Sequence, residues 1–285
     1  MQKIALLGGD QRQEILSREL SRKGFSVVGF GNSVAPAGQN LAAALEGASA
    51  VILPVPASRD GVHLSKGEQE APELPFAEVL DRLPTGTLLL GGALLPEWNS
   101  AAKARGILCA DYYLSETVQL RNALPTAEGA IMLAMRELPV TLSGAQTAVV
   151  GYGRIGSLLA EKLVALGAKV GVLARSPEAL VKAELHGAEA YRLGKGVPPF
   201  FRDARVLFNT VPERILEPYF LQTLPQNCIL IELASAPGGF DPDFANAAGL
   251  RIIPARGLPG RFYPETAGKI LADVVCAILS RERLS

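Results

Sequence analysis

The stretch Val149–Ser176 reads VVGYGRIGSLLAEKLVALGAKVGVLARS, and its glycine spacing decides the fold. Gly151, Gly153 and Gly156 follow an apolar, strand-like run and open an amphipathic helix expected over Ile155–Leu166; the next strand ends at Arg175. A lone GxGxxG is a weak signal, but between a strand and a helix it is the fingerprint of dinucleotide binding. Gly151 permits the tight turn, Gly153 lets a pyrophosphate approach the backbone, and Gly156 allows the helix to pack closely on the sheet. The N–H groups at the helix start, around Arg154 and Ile155, and the positive end of its dipole then face the phosphates.

At the end of the second strand an acid would accept from an adenosine 2′-hydroxyl. Here the chain has Leu173–Ala174–Arg175–Ser176, with no acid before Glu178. A 2′-phosphate repels a carboxylate and pairs with a guanidinium. Arg175, with the Ser176 hydroxyl beside it, therefore predicts NADP(H) over NAD(H); the bland alternative is a solvated surface arginine. Later strand ends complete the expected cofactor side: Asn209–Thr210–Val211–Pro212, Glu232–Leu233–Ala234–Ser235 with Pro237–Gly238–Gly239, and Pro259 within Arg256–Gly260. Glycine and proline at such positions also serve simply as turns.

Working outward, the front of the chain alternates short apolar runs with helical patterns. Strands are expected at Lys3–Leu7, Ser26–Phe30, Ala50–Pro54, Thr87–Leu90 and Ile107–Ala110, with helices at Gln11–Arg22, Asn40–Leu45, Phe76–Leu83 and Glu97–Ala104. PVPASRDGVHLSKGEQEAPELP (54–75) reads as a long surface loop. Pro125 and Thr126 are expected to start and cap a connecting helix. The second series opens with Gln146–Val150 and continues through Lys169–Leu173, Pro177–Leu185, Glu189–Arg192, Arg205–Asn209, Ile215–Phe220, Cys228–Glu232 and Arg251–Pro254, closing with helix Thr266–Arg283. Strands separated by helices imply parallel sheets covered on both faces. The expectation is an α/β protein of two doubly wound domains: residues 1–125 on the substrate side, a connector at 126–140, and a Rossmann NADP-binding domain at 141–285. Its last helix is free to pack on the first domain.

Composition narrows the function classes. Apolar residues make up 48% and charged residues 20% of 285 positions, and 28 Lys+Arg balance 28 Asp+Glu. That balance gives no general nucleic-acid footprint, so a small ligand is expected. No apolar run of about 18 residues suggests a membrane span, and MQKIALLGGD lacks signal-peptide features; a cytoplasmic protein is expected. Cys109, Cys228 and Cys276 are widely spaced, so buried free thiols are expected, with neither disulfides nor zinc. His63 and His186 are too few for a multi-histidine site, and neither is assigned a catalytic role.

IALLGGDQRQ (4–13), LPVPASRDG (53–61), GGALLP (91–96), RNALPTAEGAIMLA (121–134), VVGYGRIG (149–156), LARS (173–176), ELASAPGG (232–239) and GLPGRFYPETAGKILA (257–272) run in order from end to end. On these stretches the chain resembles the dipicolinate synthase A-subunit family. The resemblance implies NADP-dependent oxidation of dihydrodipicolinate to pyridine-2,6-dicarboxylate during sporulation, in the mother-cell cytoplasm, beside a flavoprotein-like B subunit. A homo-oligomer is also expected.

Removing a hydride from an unsaturated ring yields an aromatic product, so the protein mainly aligns the ring with nicotinamide C4 and assists loss of a proton. Two substrate carboxylates call for cations. Arg12 and Arg59 are the candidates; Thr126 is a candidate donor, and Asp10 or Glu128 a candidate proton acceptor. Each has a structural alternative: Asp10 as a helix cap, Arg12 on a solvated face, Glu128 offsetting a helix dipole. A 2-hydroxy-acid dehydrogenase shares the architecture but would want a histidine with an acidic partner; an NADP-sensing or scaffold protein is the other alternative.

Overall fold

The computed structural model of the protein describes residues 1–36, 39–67 and 72–282. The chain forms two compact units: Met1–Asn122 together with the chain from Gly260 on, and Ala123–Pro259.

The first unit contains β1 (Lys3–Leu7), α1 (Arg12–Arg22), β2 (Ser26–Phe30), α2 (Leu41–Leu45), β3 (Ala48–Ile52), α3 (Phe76–Arg82), β4 (Leu88–Gly91), α4 (Pro96–Ala104) and β5 (Leu108–Asp111). The strands are parallel, in the order β2-β1-β3-β4-β5. The apolar runs are short and largely β-branched or leucine-rich because both sheet faces are covered. One face packs against Leu16 and Leu20 of α1. The other packs Leu41, Leu45, Val79, Leu80 and Ala102 from α2, α3 and α4, with Phe76 stacked on Trp98 at 4.1 Å.

A helix α5 (Glu116–Glu137) follows. It begins ten residues before the expected cap, so Pro125 lies inside it and Thr126 is a buried mid-helix residue. Pro125 has no N–H for the Arg121 carbonyl, a local penalty. The burial of Val118, Ala123, Ala127, Ala130 and Ala134 along the same helix offsets it. Sequence-local punctuation was overridden by packing.

The second unit carries β6 (Gln146–Val150), α6 (Arg154–Ala165), β7 (Lys169–Ala174), α7 (Pro177–Leu185), β8 (Glu189–Arg192), β9 (Val206–Asn209), α8 (Pro218–Leu221), β10 (Ile229–Glu232), α9 (Pro242–Ala247) and β11 (Arg251–Pro254). Its six strands are parallel, in the order β11-β10-β9-β6-β7-β8. The chain moves outward from β6 through β7 to β8, then returns to the other side of β6 with β9. That reversal is the topological switch point where open α/β sheets bind ligands.

α10 (Leu258–Phe262) forms where the glycines and proline suggested a turn, and α11 (Pro264–Glu282) closes the chain. α11 belongs to the first unit, where Leu271, Val275 and Leu279 join α1 on the sheet. Each such side chain contributes roughly 1.5–3 kcal/mol on burial. Gly268 makes this approach possible, since a Cβ there would lie 2.5 Å from Cβ of Ile15. The segment 54–75 also departs from a free surface loop: Val55, Ala57, Leu64 and Leu74 are buried in the core. Ser65 N–H donates to the Ala57 carbonyl and Leu64 N–H to that of Leu74. Residues 68–71 of that expected loop lie outside the described residues.

Candidate functional site

The β6–α6 turn sits at the switch point of the second sheet, beside the end of β9. Its three glycines have different surroundings. Gly151 has φ +93°, and a Cβ there would collide with Thr210 Oγ1. A Cβ on Gly156 would collide with the Gly151 carbonyl oxygen. Both glycines are therefore required by the protein's own packing. Thr210 locks this arrangement by donating its hydroxyl to the Val150 carbonyl at 2.8 Å.

Gly153 is different. Its φ of −87° is open to any residue, and a Cβ would meet nothing among the described residues within 4 Å. As N-cap of α6 it offers no side chain, so the leading N–H groups of the helix have no side-chain cap. An uncapped helix start over open space is an anion cradle. The residues present thus fit the pyrophosphate of a dinucleotide.

At the end of β7, Arg175 is exposed and pairs with Glu213 at 3.2 Å. Ser176 is the N-cap of α7: its hydroxyl accepts from Ala179 N–H at 3.3 Å and donates to Glu178 at 2.5 Å. Arg154 is exposed and Ile155 half-buried at the start of α6. Of the later expected residues, Val211 is half-buried, and Pro212 and Ser235 are exposed.

Asn209, Ala234 and Pro259 lie deeper than a cofactor-facing reading supposes. Asn209 is fully buried and donates through Nδ2 to Val211 O at 2.9 Å and to Glu232 Oε1 at 2.7 Å. Glu232 also accepts from the Ala234 and Gly239 N–H groups, both at 2.9 Å. The Ala234 carbonyl in turn accepts from Arg256 Nε at 3.0 Å. This network fixes the loops after β9 and β10, and Pro259 is buried within α10. The sequence placed Glu232 in a candidate cofactor segment but not as the buried acceptor of this network, because its donor Asn209 lies 23 residues away.

The first sheet has its own switch point between β1 and β3, and Asp10 and Arg12 lie there. Arg12 donates through Nε and Nη2 to the two Asp10 carboxylate oxygens, each at 2.7 Å, and through Nη2 to the Val55 carbonyl at 2.5 Å. It is buried rather than on a solvated face. Asp10 also accepts from the Arg12 backbone N–H at 3.1 Å, fastening the start of α1. Burial raises the Asp10 carboxyl, but hydrogen bonds and charge from Arg12, with a contribution from Arg59, outweigh it and hold it below the ordinary range. Gly260 presses on this pair: a Cβ there would lie 2.5 Å from Asp10 Oδ2.

Arg59 is exposed and makes no hydrogen bond or ion pair with another described residue. Glu128 pairs with Lys162 of α6 at 3.1 Å. Thr126 is buried in α5. Two histidine contacts also emerge that the sequence reading did not assign. His63 Nδ1 donates to Asp60 at 2.8 Å, and His186 Nδ1 shares a hydrogen bond with Tyr152 OH at 2.9 Å. His63 and its Asp60 partner lie three residues apart, a signal the sequence carried.

A Rossmann sheet with an open glycine turn at its switch point places the second unit in the class of dinucleotide-binding folds. In agreement, residues 119–237 match the D-isomer specific 2-hydroxyacid dehydrogenase, NAD binding domain. Residues 3–113 match the N-terminal domain of the dipicolinate synthase A-subunit. The chain is 33% identical over 289 residues to the dipicolinate synthase A-subunit of Bacillus subtilis (strain 168), covering 98% of this chain and 96% of that one. It belongs to the dipicolinate synthase A-subunit family. The crystal structure of the A-subunit from Bacillus halodurans superposes with a TM-score of 0.85 at 29% identity, covering 98% of this chain and 97% of that one. The crystal structure of the Bacillus subtilis A-subunit gives 0.82 at 29%, covering 99% and 97%. Among the described residues, no helix is long and apolar enough to cross a membrane.

Proposed function

We propose that this protein oxidises dihydrodipicolinate to dipicolinate with NADP as the hydride acceptor, working beside a B subunit. The observation that carries the reading is Gly153, a glycine that no protein atom requires, at the uncapped start of α6. When bound, the nicotinamide cofactor supplies the hydride acceptor. This chain's own residues bind, orient and exclude. Gly153 and the N–H groups around Arg154, Ile155 and Gly156 take the pyrophosphate. Arg175 takes the adenosine 2′-phosphate. Thr210, Val211, Pro212 and Ser235 border the nicotinamide side, while Asn209, Ala234 and Pro259 support those loops from within.

For the substrate, Arg59 is the better carboxylate anchor, because Arg12 is already held by Asp10 and Val55. Asp10 in that pairing is a weak base; its role in accepting the ring proton rests on the driving force of aromatisation. Glu128 and Thr126 fit structural roles in α5 better, given the Lys162 pair and the burial of Thr126.

The test is a coupled assay on the purified chain, with and without its B subunit, supplied with freshly generated dihydrodipicolinate. NADPH and pyridine dicarboxylate are expected to appear in equal amounts. NADP binding without turnover under either condition would instead mark a sensing protein. In Arg59→Ala the substrate KM is expected to rise with NADPH affinity unchanged.

A further inference from the structure

The cofactor-specificity position holds a pair rather than a lone cation. Arg175, at the end of β7, and Glu213, in the loop after β9, approach to 3.2 Å, and both are more than half exposed. Some of the neighbouring charges are engaged elsewhere, while exposed Arg192 at the end of β8 lies in register with Ala174. Arg214 pairs with Asp241 at 3.3 Å, and Glu178 is held by the Ser176 hydroxyl. Ser176 is itself occupied in capping α7. At the end of β7 itself, one guanidinium and one carboxylate are brought together from positions 38 residues apart.

We infer that Glu213 is a specificity-determining residue that opposes Arg175: it competes with a 2′-phosphate for the guanidinium and offers a 2′-hydroxyl the acceptor that the end of β7 lacks. This role rests on the reading of Arg175 as the phosphate-facing residue and deepens it.

Two effects act together. A 2′-phosphate near Arg175 must break an existing ion pair and settle beside a carboxylate of like sign. A 2′-hydroxyl has no such conflict, because it donates to Glu213 while the pair stays intact. Nucleotide-binding folds usually place that acceptor at the end of the second strand; here it comes from the loop after β9. The consequence is a graded preference for NADP over NAD, with Glu213 limiting the ratio. An exposed ion pair alone is worth at most about fivefold in an equilibrium constant. Like-charge repulsion adds to this, so removing the carboxylate's charge is expected to raise the ratio about tenfold.

The experiment is calorimetric titration of the full chain with adenosine 2′,5′-bisphosphate and adenosine 5′-phosphate, which differ only in the 2′-phosphate. It is repeated with NADP and NAD. Glu213→Gln keeps shape and hydrogen bonding and removes charge, and at an exposed position it should leave the melting temperature unchanged. The expected result is a bisphosphate-to-monophosphate affinity ratio about tenfold above wild type. An unchanged ratio in Glu213→Gln, with a ratio that collapses in Arg175→Ala, overturns the role of Glu213 and leaves the NADP reading intact. A ratio unchanged in Arg175→Ala overturns the NADP reading itself, and the role of Glu213 with it.

Discussion

The two switch points of this protein use the same architecture in opposite ways. At the end of β1, an arginine, an aspartate and the Val55 carbonyl satisfy one another, and Gly260 is packed against them. At the end of β6, the glycine turn leaves a Gly153 Cβ with nothing among the described residues within 4 Å, and the helix start without a side-chain cap. The first is a closed latch and the second an open cradle. A glycine demanded by packing and a glycine demanded by no described residue look identical in sequence, and only the structure tells them apart.

Breaking the latch should have the largest effect. Arg12→Ala leaves the Asp10 carboxylate without its partner in a largely buried site, which costs about 3–5 kcal/mol when such a pair is split. Trp98, the single tryptophan, is buried in the same unit, so its fluorescence during urea denaturation reads this loss directly. An unchanged midpoint would show that the latch contributes nothing.

Filling the cradle comes next. Gly153→Val is expected to lower dinucleotide affinity by roughly one to two orders of magnitude, about what losing a hydrogen bond to a charged group costs, with the melting temperature unchanged. Gly156→Ala makes the opposite comparison: its Cβ would strike the Gly151 carbonyl, so stability should fall together with binding. If both variants behaved alike, the distinction between the two kinds of glycine would be lost.

A smaller, pH-dependent effect follows from Asp10. Its carboxyl is held low in the folded chain, so its pairing stabilises above the ordinary carboxyl value of 3.8 and is lost as pH falls through the folded value. The stability advantage of wild type over Asp10→Asn should be flat from about pH 7 to about pH 5 and narrow below that ordinary value. A gap that widened in acid would contradict the assignment.

The smallest effect is expected from thiol chemistry. Burial pushes Cys228 up to about 12 and also raises Cys276 and Cys109. Alkylation at neutral pH should leave dinucleotide affinity within about twofold of the untreated protein, since inert thiols are poor nucleophiles.

Much of the fold was legible because parallel strands buried on both faces must be short and apolar, and helices must punctuate them. Lys3–Leu7, Ser26–Phe30, Gln146–Val150 and Pro177–Leu185 coincide with their expected bounds. The start of α5 was not legible, because Pro125 is a strong local signal and the burial that outweighs it comes from distant residues. The same limit governed the site. Arg12 reads as a free cation until the fold brings Val55 and Gly260 to it, and Arg175 reads as unopposed until β9 delivers Glu213.

The sequence by itself determined the class of the second unit and the family of the whole chain, since these rest on residue order and short-range spacing. Tertiary structure alone decided which charges are spent and which remain available. Availability depends on partners 38 to 248 residues away along the chain, from Arg175 with Glu213 to Arg12 with Gly260, and no local spacing encodes contacts at that range.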